Sequence, residues 1–127
     1  MPLVKTHLLS GRSVDDKRAI GDAVQAALVD VLGIPNEDLY QVFAEYSEAN
    51  FRHTDGYLGL TYSDQLLMIE ISFIEGRDDE IKKALLQAIN ANLVAKDLVN
   101  ADDVFVIITE VGRANVSFGQ GLAQRAQ

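Results

Sequence analysis

The chain has 127 residues and a formal charge of −8, with 11 Lys and Arg against 19 Asp and Glu. This length fits one domain, and the acidic balance argues against nucleic acid or an anionic membrane as a partner, because both require a concentrated basic surface. With no Cys and two scattered His, we expect no disulfide, no metal site and no cofactor. No apolar run approaches the roughly 20 residues of a membrane span and no apolar signal segment follows Met1, so we expect a cytoplasmic protein.

Pro2 follows Met1 directly and opens an alternating, strand-like run that continues to Leu9. If Met1 is removed, the chain begins with a secondary amine, which exchanges protons or attacks a carbonyl nearer neutral pH than a lysine does. Proline at this position is also an ordinary terminal residue, since it has no N–H to lose from a sheet edge. The residue alone leaves a catalytic amine and an idle terminus both open.

Two amphipathic helices are the clearest elements further along the chain. Ser13 is a typical N-cap for the first helix, which Gly33 and Pro35 are expected to end. The second helix begins in the acidic segment 78–80 and carries an apolar stripe at helical spacing. Clusters of Val, Ile, Phe and Tyr predict strands at about 2–9, 39–46, 66–74 and 103–111. A long loop is expected over 47–64, and a short hairpin in the tail from 112 to 127.

The chain also repeats itself. Shifting it by 65 residues aligns 8–47 with 73–112 and gives ten identities without a gap, where unrelated sequences would give roughly two or three. We therefore predict a single domain, 1–127, built from repeats at about 2–47 and 66–112, each a βαβ unit with a right-handed crossover. The predicted fold is α+β (an α/β two-layer arrangement), with a four-stranded sheet and two helices on one face. Because the strands are apolar on both sides, the other face is expected to be buried by oligomerisation.

Three charged residues outside the N-terminus are candidates for a functional site. Arg77 lies at the head of the second helix beside acidic residues, and its position recurs in the repeat as Arg12, which favours a local anion receptor over a solvated arginine. Asp38 follows the end of the first helix and is either a turn residue or a functional carboxylate; its repeat mate is Asp103.

Several motifs together resemble the tautomerase superfamily, and most closely its malonate semialdehyde decarboxylase-like group. These are Pro after Met1, two βαβ halves, a Gly-Arg pair before each helix, Gly33-Ile34-Pro35 ahead of Asp38, and a closing Ser-Phe-Gly-x-Gly from Ser117 to Gly121. The resemblance implies a homotrimer around a β-barrel-like core, a small carboxylate substrate and no cofactor. It implies that Pro2, Asp38 and Arg77 are catalytic and that Arg12 and Phe118 bind substrate.

The sequence departs from the group at two positions. Glu75 stands where the decarboxylases carry a second arginine, and Val116 stands where a tryptophan is usual. The loss of that cation argues against decarboxylation of malonate semialdehyde itself. Arg113 or Arg125 of a neighbouring subunit is a candidate substitute.

The favoured function is a keto–enol tautomerase for a small 2-oxo acid, in which Pro2 is base and then acid, Arg77 binds the carboxylate and Asp38 orients substrate or water. One alternative is a malonate semialdehyde decarboxylase-like decarboxylase or hydratase, in which a cationic Pro2 acts as the acid. A non-catalytic trimeric binding protein and an acid-binding regulatory module of ferredoxin-like βαββαβ type also fit the order of elements.

Overall fold

Two βαβ units joined by a small hairpin make up the fold, as described by a computed structural model that covers residues 1–127. In chain order the elements are β1 (Pro2–Leu9), α1 (Val14–Leu32), β2 (Tyr40–Tyr46), β3 (Gly56–Tyr57), β4 (Leu60–Thr61), β5 (Leu67–Ile74), α2 (Asp79–Ala95) and β6 (Val104–Val111). No helix is both long enough and apolar enough to cross a membrane.

The main sheet has the strand order β2-β1-β5-β6. Strands within each unit are parallel, whereas the central pair, β1 and β5, is antiparallel and aligns Pro2 with Phe73. Both helices pack on one face, where the fully buried core side chains lie: Val4, Leu8, Ile20, Val24, Leu28, Leu67, Ile69, Ile71, Phe73, Leu85, Ile89 and Leu93. The prediction of a four-stranded sheet with two helices on one face is confirmed.

The helix ends follow the expected capping chemistry. The Ser13 hydroxyl accepts a hydrogen bond from the Asp16 N–H at 3.0 Å, and α1 ends at Gly33, whose φ of 69° is left-handed. In the second unit the Asp78 carboxylate caps α2 by accepting from the Ile81 N–H at 2.9 Å. These ends fix the turns that lead from α1 into β2 and from β5 into α2.

The repeat also preserves an ion pair between each helix and the strand that follows it. Lys17 pairs with Glu45, and at the equivalent position Lys82 pairs with Glu110 at 2.8 Å. The hydrogen bond that Lys82 donates to Glu110, together with the negative charges of Glu110 and Asp79, raises the pKa of Lys82 above its ordinary value. These pairs lie where each helix packs on its strand.

The connecting segments differ from the predicted loop and tail. The segment 47–64 contains the β3–β4 hairpin rather than an unbroken loop. The tail forms two 3-10 turns, Arg113–Asn115 and Gln124–Ala126, instead of the expected hairpin. Gln124 stabilises this tail, because its amide accepts from the Phe118 N–H and donates to the Gly119 carbonyl, both at 3.0 Å. The last turn is therefore held against residues 118–119 of the same tail.

Candidate active site

A cavity of about 420 Å³ opens at the end of the sheet where β1 begins and β5 ends. The antiparallel pairing of β1 with β5 brings the start of the chain to the β5–α2 turn, and the parallel pairing of β1 with β2 brings in the α1–β2 turn. The tail supplies the remaining wall. The lining residues are Met1, Leu32, Gly33, Ile34, Pro35, Asp38, Ile74, Glu75, Gly76, Arg77, Arg113 and Arg125.

The start of the chain and Asp38 form an ion pair in this cavity. The ammonium nitrogen of Met1 lies 2.7 Å from Asp38 Oδ2, and the two side chains are only 13% and 12% exposed. Pro2 is buried and follows Met1 into β1. Met1 lines the cavity, whereas Pro2 does not. The removal of Met1 would take one residue from the cavity wall and leave Pro2 as the terminal residue.

Arg77 is half-buried in the same cavity and has no carboxylate within ion-pair distance. Its Nη1 donates to the Ile74 carbonyl at 3.1 Å, and its guanidinium carbon lies 5.2 Å from the centre of the Phe73 ring. A hydrogen bond and a cation–π contact thus orient the guanidinium group. Its remaining donors are available to an anion.

Arg12, the repeat mate of Arg77, does not line this cavity. Its guanidinium donates to the Leu98 carbonyl at 2.9 Å and to the Gln65 carbonyl at 3.4 Å. In the repeat, Leu98 corresponds to Gly33, which lines the cavity together with Arg77. Arg12 therefore lies at the place in the second unit that corresponds to this cavity. The structure does not bring Arg12 together with Asp38 and Arg77, and two of the five guanidinium N–H donors of Arg12 bind backbone carbonyls of its own chain.

Asp103, the repeat mate of Asp38, also has different partners. It is 1% exposed and accepts hydrogen bonds from the backbone N–H and the hydroxyl of Ser63, at 2.8 and 2.6 Å. The chain that leads into β5 therefore fills the position that corresponds to the chain start in the first unit. The place around Asp38 therefore combines an amine, a carboxylate and an arginine. The corresponding place around Asp103 has no amine, because Ser63 binds that carboxylate.

Phe118 lines an adjoining cavity of about 250 Å³ together with Asp38, Tyr40 and Arg125. Its ring centre lies 6.1 Å from that of Tyr40. Asp38 and Arg125 line both cavities. Phe118 is therefore next to the site rather than in the part that Arg77 lines.

Two arginines of the tail line the first cavity from within the same chain, whereas the sequence suggested them only as contributions from a neighbouring subunit. Arg113 Nη1 lies 3.5 Å from the Arg125 carbonyl, which links the end of β6 to the last 3-10 turn. Glu75, at the position of the missing arginine, also lines the cavity and is exposed. No sequence pattern indicates where the tail folds, so the joint placement of these arginines is a structural finding.

Comparisons with known proteins identify the family to which the chain belongs. Two family models, both described as tautomerase enzyme, match residues 38–119 and 2–60. A probable tautomerase of Bacillus subtilis (strain 168), YusQ, is 30% identical over 124 residues, which is 98% of each chain.

Two solved structures have the same fold. FG41 malonate semialdehyde decarboxylase inhibited by 3-bromopropiolate is 36% identical, with a TM-score of 0.90 over 98% of this chain and 94% of that one. A fused 4-OT described as a wild-type symmetric trimer is 26% identical, with a TM-score of 0.79 over 98% of both chains. The chain therefore belongs to the tautomerase superfamily, in its malonate semialdehyde decarboxylase-like group.

Proposed function

We propose that this protein is a cofactor-independent keto–enol tautomerase that acts on a small 2-oxo acid, with Pro2 as its base and acid. The observation that carries the proposal is the meeting of the chain start, Asp38 and Arg77 in one cavity. These groups provide a proton carrier, a polar orienting group and a carboxylate receptor within the reach of one small molecule. The second unit lacks this combination, so the proposal gives each chain one site.

The amine carries the proton in the proposed reaction. Once Met1 is removed, the neutral nitrogen of Pro2 takes a proton from the carbon next to the substrate carbonyl, and an enolate forms. The resulting ammonium returns the same proton to another carbon of the conjugated system, so the amine is regenerated and no co-reactant is consumed. Asp38, which holds the terminal ammonium of Met1 at 2.7 Å, is placed to orient the substrate or a water molecule.

Arg77 binds the substrate carboxylate in this proposal. Its planar fork of donors suits bidentate contact with a carboxylate. The same charge stabilises the enolate, and the contacts with Ile74 and Phe73 orient the guanidinium group before substrate arrives. Catalysis then gains from a donor that does not have to reorganise during proton transfer.

A second candidate is decarboxylation or hydration with a cationic Pro2. The short contact between Asp38 and the terminal ammonium favours it, because a nearby carboxylate stabilises the charged form of an amine. The three arginines that line the cavity act in the opposite direction. Glu75, in place of an arginine, weakens the case for malonate semialdehyde as the substrate.

The dependence of rate on pH separates the two candidates. We expect kcat/KM for ketonisation of the enols of small 2-oxo acids to rise as the amine loses its proton, because in this direction the neutral nitrogen takes the proton of the enol hydroxyl and then returns it to carbon. The measurement is the ultraviolet absorbance of the enol across pH, on protein whose intact mass shows that Met1 is absent. Activity that falls as the amine deprotonates would instead identify Pro2 as an acid and favour the second candidate.

We also propose that three copies assemble through the face of the sheet that the helices leave open. That face carries large apolar side chains that are nearly half exposed: Tyr40, Val42, Phe105 and Ile107. Trimeric assembly of a fused 4-OT with this fold supports the proposal. Light scattering after size-exclusion chromatography is expected to give about three times the 13.9 kDa of one chain. A mass of 13.9 kDa at micromolar concentration would contradict it.

A further inference from the structure

We infer that Arg113 and Arg125 form a second anion-binding subsite beside Arg77, so that the cavity takes a small acid with two carboxylates. The inference rests on the proposed function, and it extends that function by naming the class of substrate. Arg77 holds the carboxylate at the reacting end, and the tail arginines hold the distal one. The tail thereby determines specificity without taking part in proton transfer.

The first argument is the distribution of charge. The chain has six arginines and a net charge of −8, yet three of those arginines line one cavity. No ion pair includes any of the three. The acids that line the cavity are Asp38, which is paired with the terminal ammonium, and the exposed Glu75. An acidic protein thus concentrates unpaired cations at this cavity, as the recognition of more than one negative charge requires.

The second argument is the order of the tail. Gln124 bridges the Phe118 N–H and the Gly119 carbonyl, and Arg113 contacts the Arg125 carbonyl. These contacts form the tail before any ligand binds, so the arginines do not need a disordered segment to close.

The third argument is the position of the two kinds of arginine. Arg77 is half-buried and lies near the chain start, whereas Arg113 and Arg125 are exposed at the rim. Arg125 also lines the adjoining cavity with Phe118 and Tyr40. When one carboxylate of an extended acid binds Arg77, the tail arginines at the rim are the remaining arginines of the cavity that can bind a second carboxylate.

Binding of unreactive acids tests the subsite without requiring turnover. Calorimetric titration of the Met1-free protein compares succinate, glutarate and adipate with the monocarboxylates of equal carbon number: butyrate, pentanoate and hexanoate. We expect at least one diacid to bind about tenfold more tightly than its monoacid, because it gains charge-assisted hydrogen bonds. The double variant Arg113→Gln/Arg125→Gln is expected to abolish that preference and leave monoacid affinity within twofold. Arg18→Gln is the matched control, an exposed arginine of α1 outside this cavity, and should preserve the preference.

The outcomes for the subsite and for the proposed function are distinct. If no diacid binds more tightly than its monoacid, or if the double variant retains the preference while melting like the parent, the subsite is overturned. Loss of turnover in Pro2→Ala with no diacid preference overturns the subsite alone. A diacid preference that depends on the tail arginines, together with full turnover in Pro2→Ala, supports the subsite and overturns the proposed tautomerase mechanism.

Discussion

Replacing Pro2 with alanine is expected to lower kcat/KM by about a hundredfold or more, because the secondary amine that carries the proton is replaced by a primary amine of different basicity and geometry. The fold should persist, since Pro2 begins a strand whose core contacts are made further along by Val4 and Leu8. Steady-state rates on a responsive 2-oxo acid, with thermal melting of the same samples, measure both effects.

Val4→Ala provides the matched control in the same strand. Val4 is 2% exposed in the core, and its truncation should cost about 2 kcal/mol of unfolding free energy. Its kcat/KM should stay within about threefold of the parent at temperatures where both proteins are folded. Full turnover by Pro2→Ala on every substrate tested would contradict the amine mechanism.

Arg77→Gln is expected to reduce kcat/KM by about a hundredfold, because the carboxylate of the substrate loses its bidentate partner and the enolate loses a stabilising charge. Stability should change little, since the side chain makes one hydrogen bond to the backbone and one contact with the Phe73 ring. Steady-state kinetics with a 2-oxo acid and its enol measure the loss.

Arg12→Gln is the control that the repeat supplies. Arg12 holds two backbone carbonyls, of Leu98 and Gln65, so its loss should cost about 2 kcal/mol of stability and leave kcat/KM within about threefold. The opposite pattern, in which Arg12→Gln abolishes turnover and Arg77→Gln does not, would move carboxylate binding to Arg12, as in the substrate-binding role that the resemblance implied.

The elements that the sequence predicted well depend on local chemistry or on the repeat. Ser13 caps a helix and Gly33 ends it through interactions within a few residues, so their roles are visible without tertiary information. The ten identities between the halves indicate two βαβ units, and the apolar strands indicate how the sheet is buried.

The features that the sequence did not predict depend on distant contacts. Arg12 and Arg77 occupy equivalent positions in the repeat, yet they have different surroundings. Arg12 donates to two carbonyls of distant segments, Leu98 and Gln65, whereas Arg77 donates to the nearby Ile74 carbonyl and lines the cavity at the chain start. Arg113 and Arg125 line the cavity in a tail that hydrogen bonds of Gln124 hold in place. No sequence motif indicates that Gln124 makes these bonds. Such placements follow from tertiary packing rather than from periodicity.

The central claim is that a free amine at Pro2 carries out the chemistry, and one comparison tests it most directly. The Met1-free protein is compared with a chain extended by a single alanine before Pro2, which keeps the Pro2 nitrogen in an amide and leaves a terminal amine where Met1 now lies beside Asp38. Intact mass verifies both chain starts, and melting verifies both folds. We predict that the extended chain loses at least about 99% of the parent kcat/KM. An extended chain that turns over substrate as fast as the parent would contradict the role of Pro2.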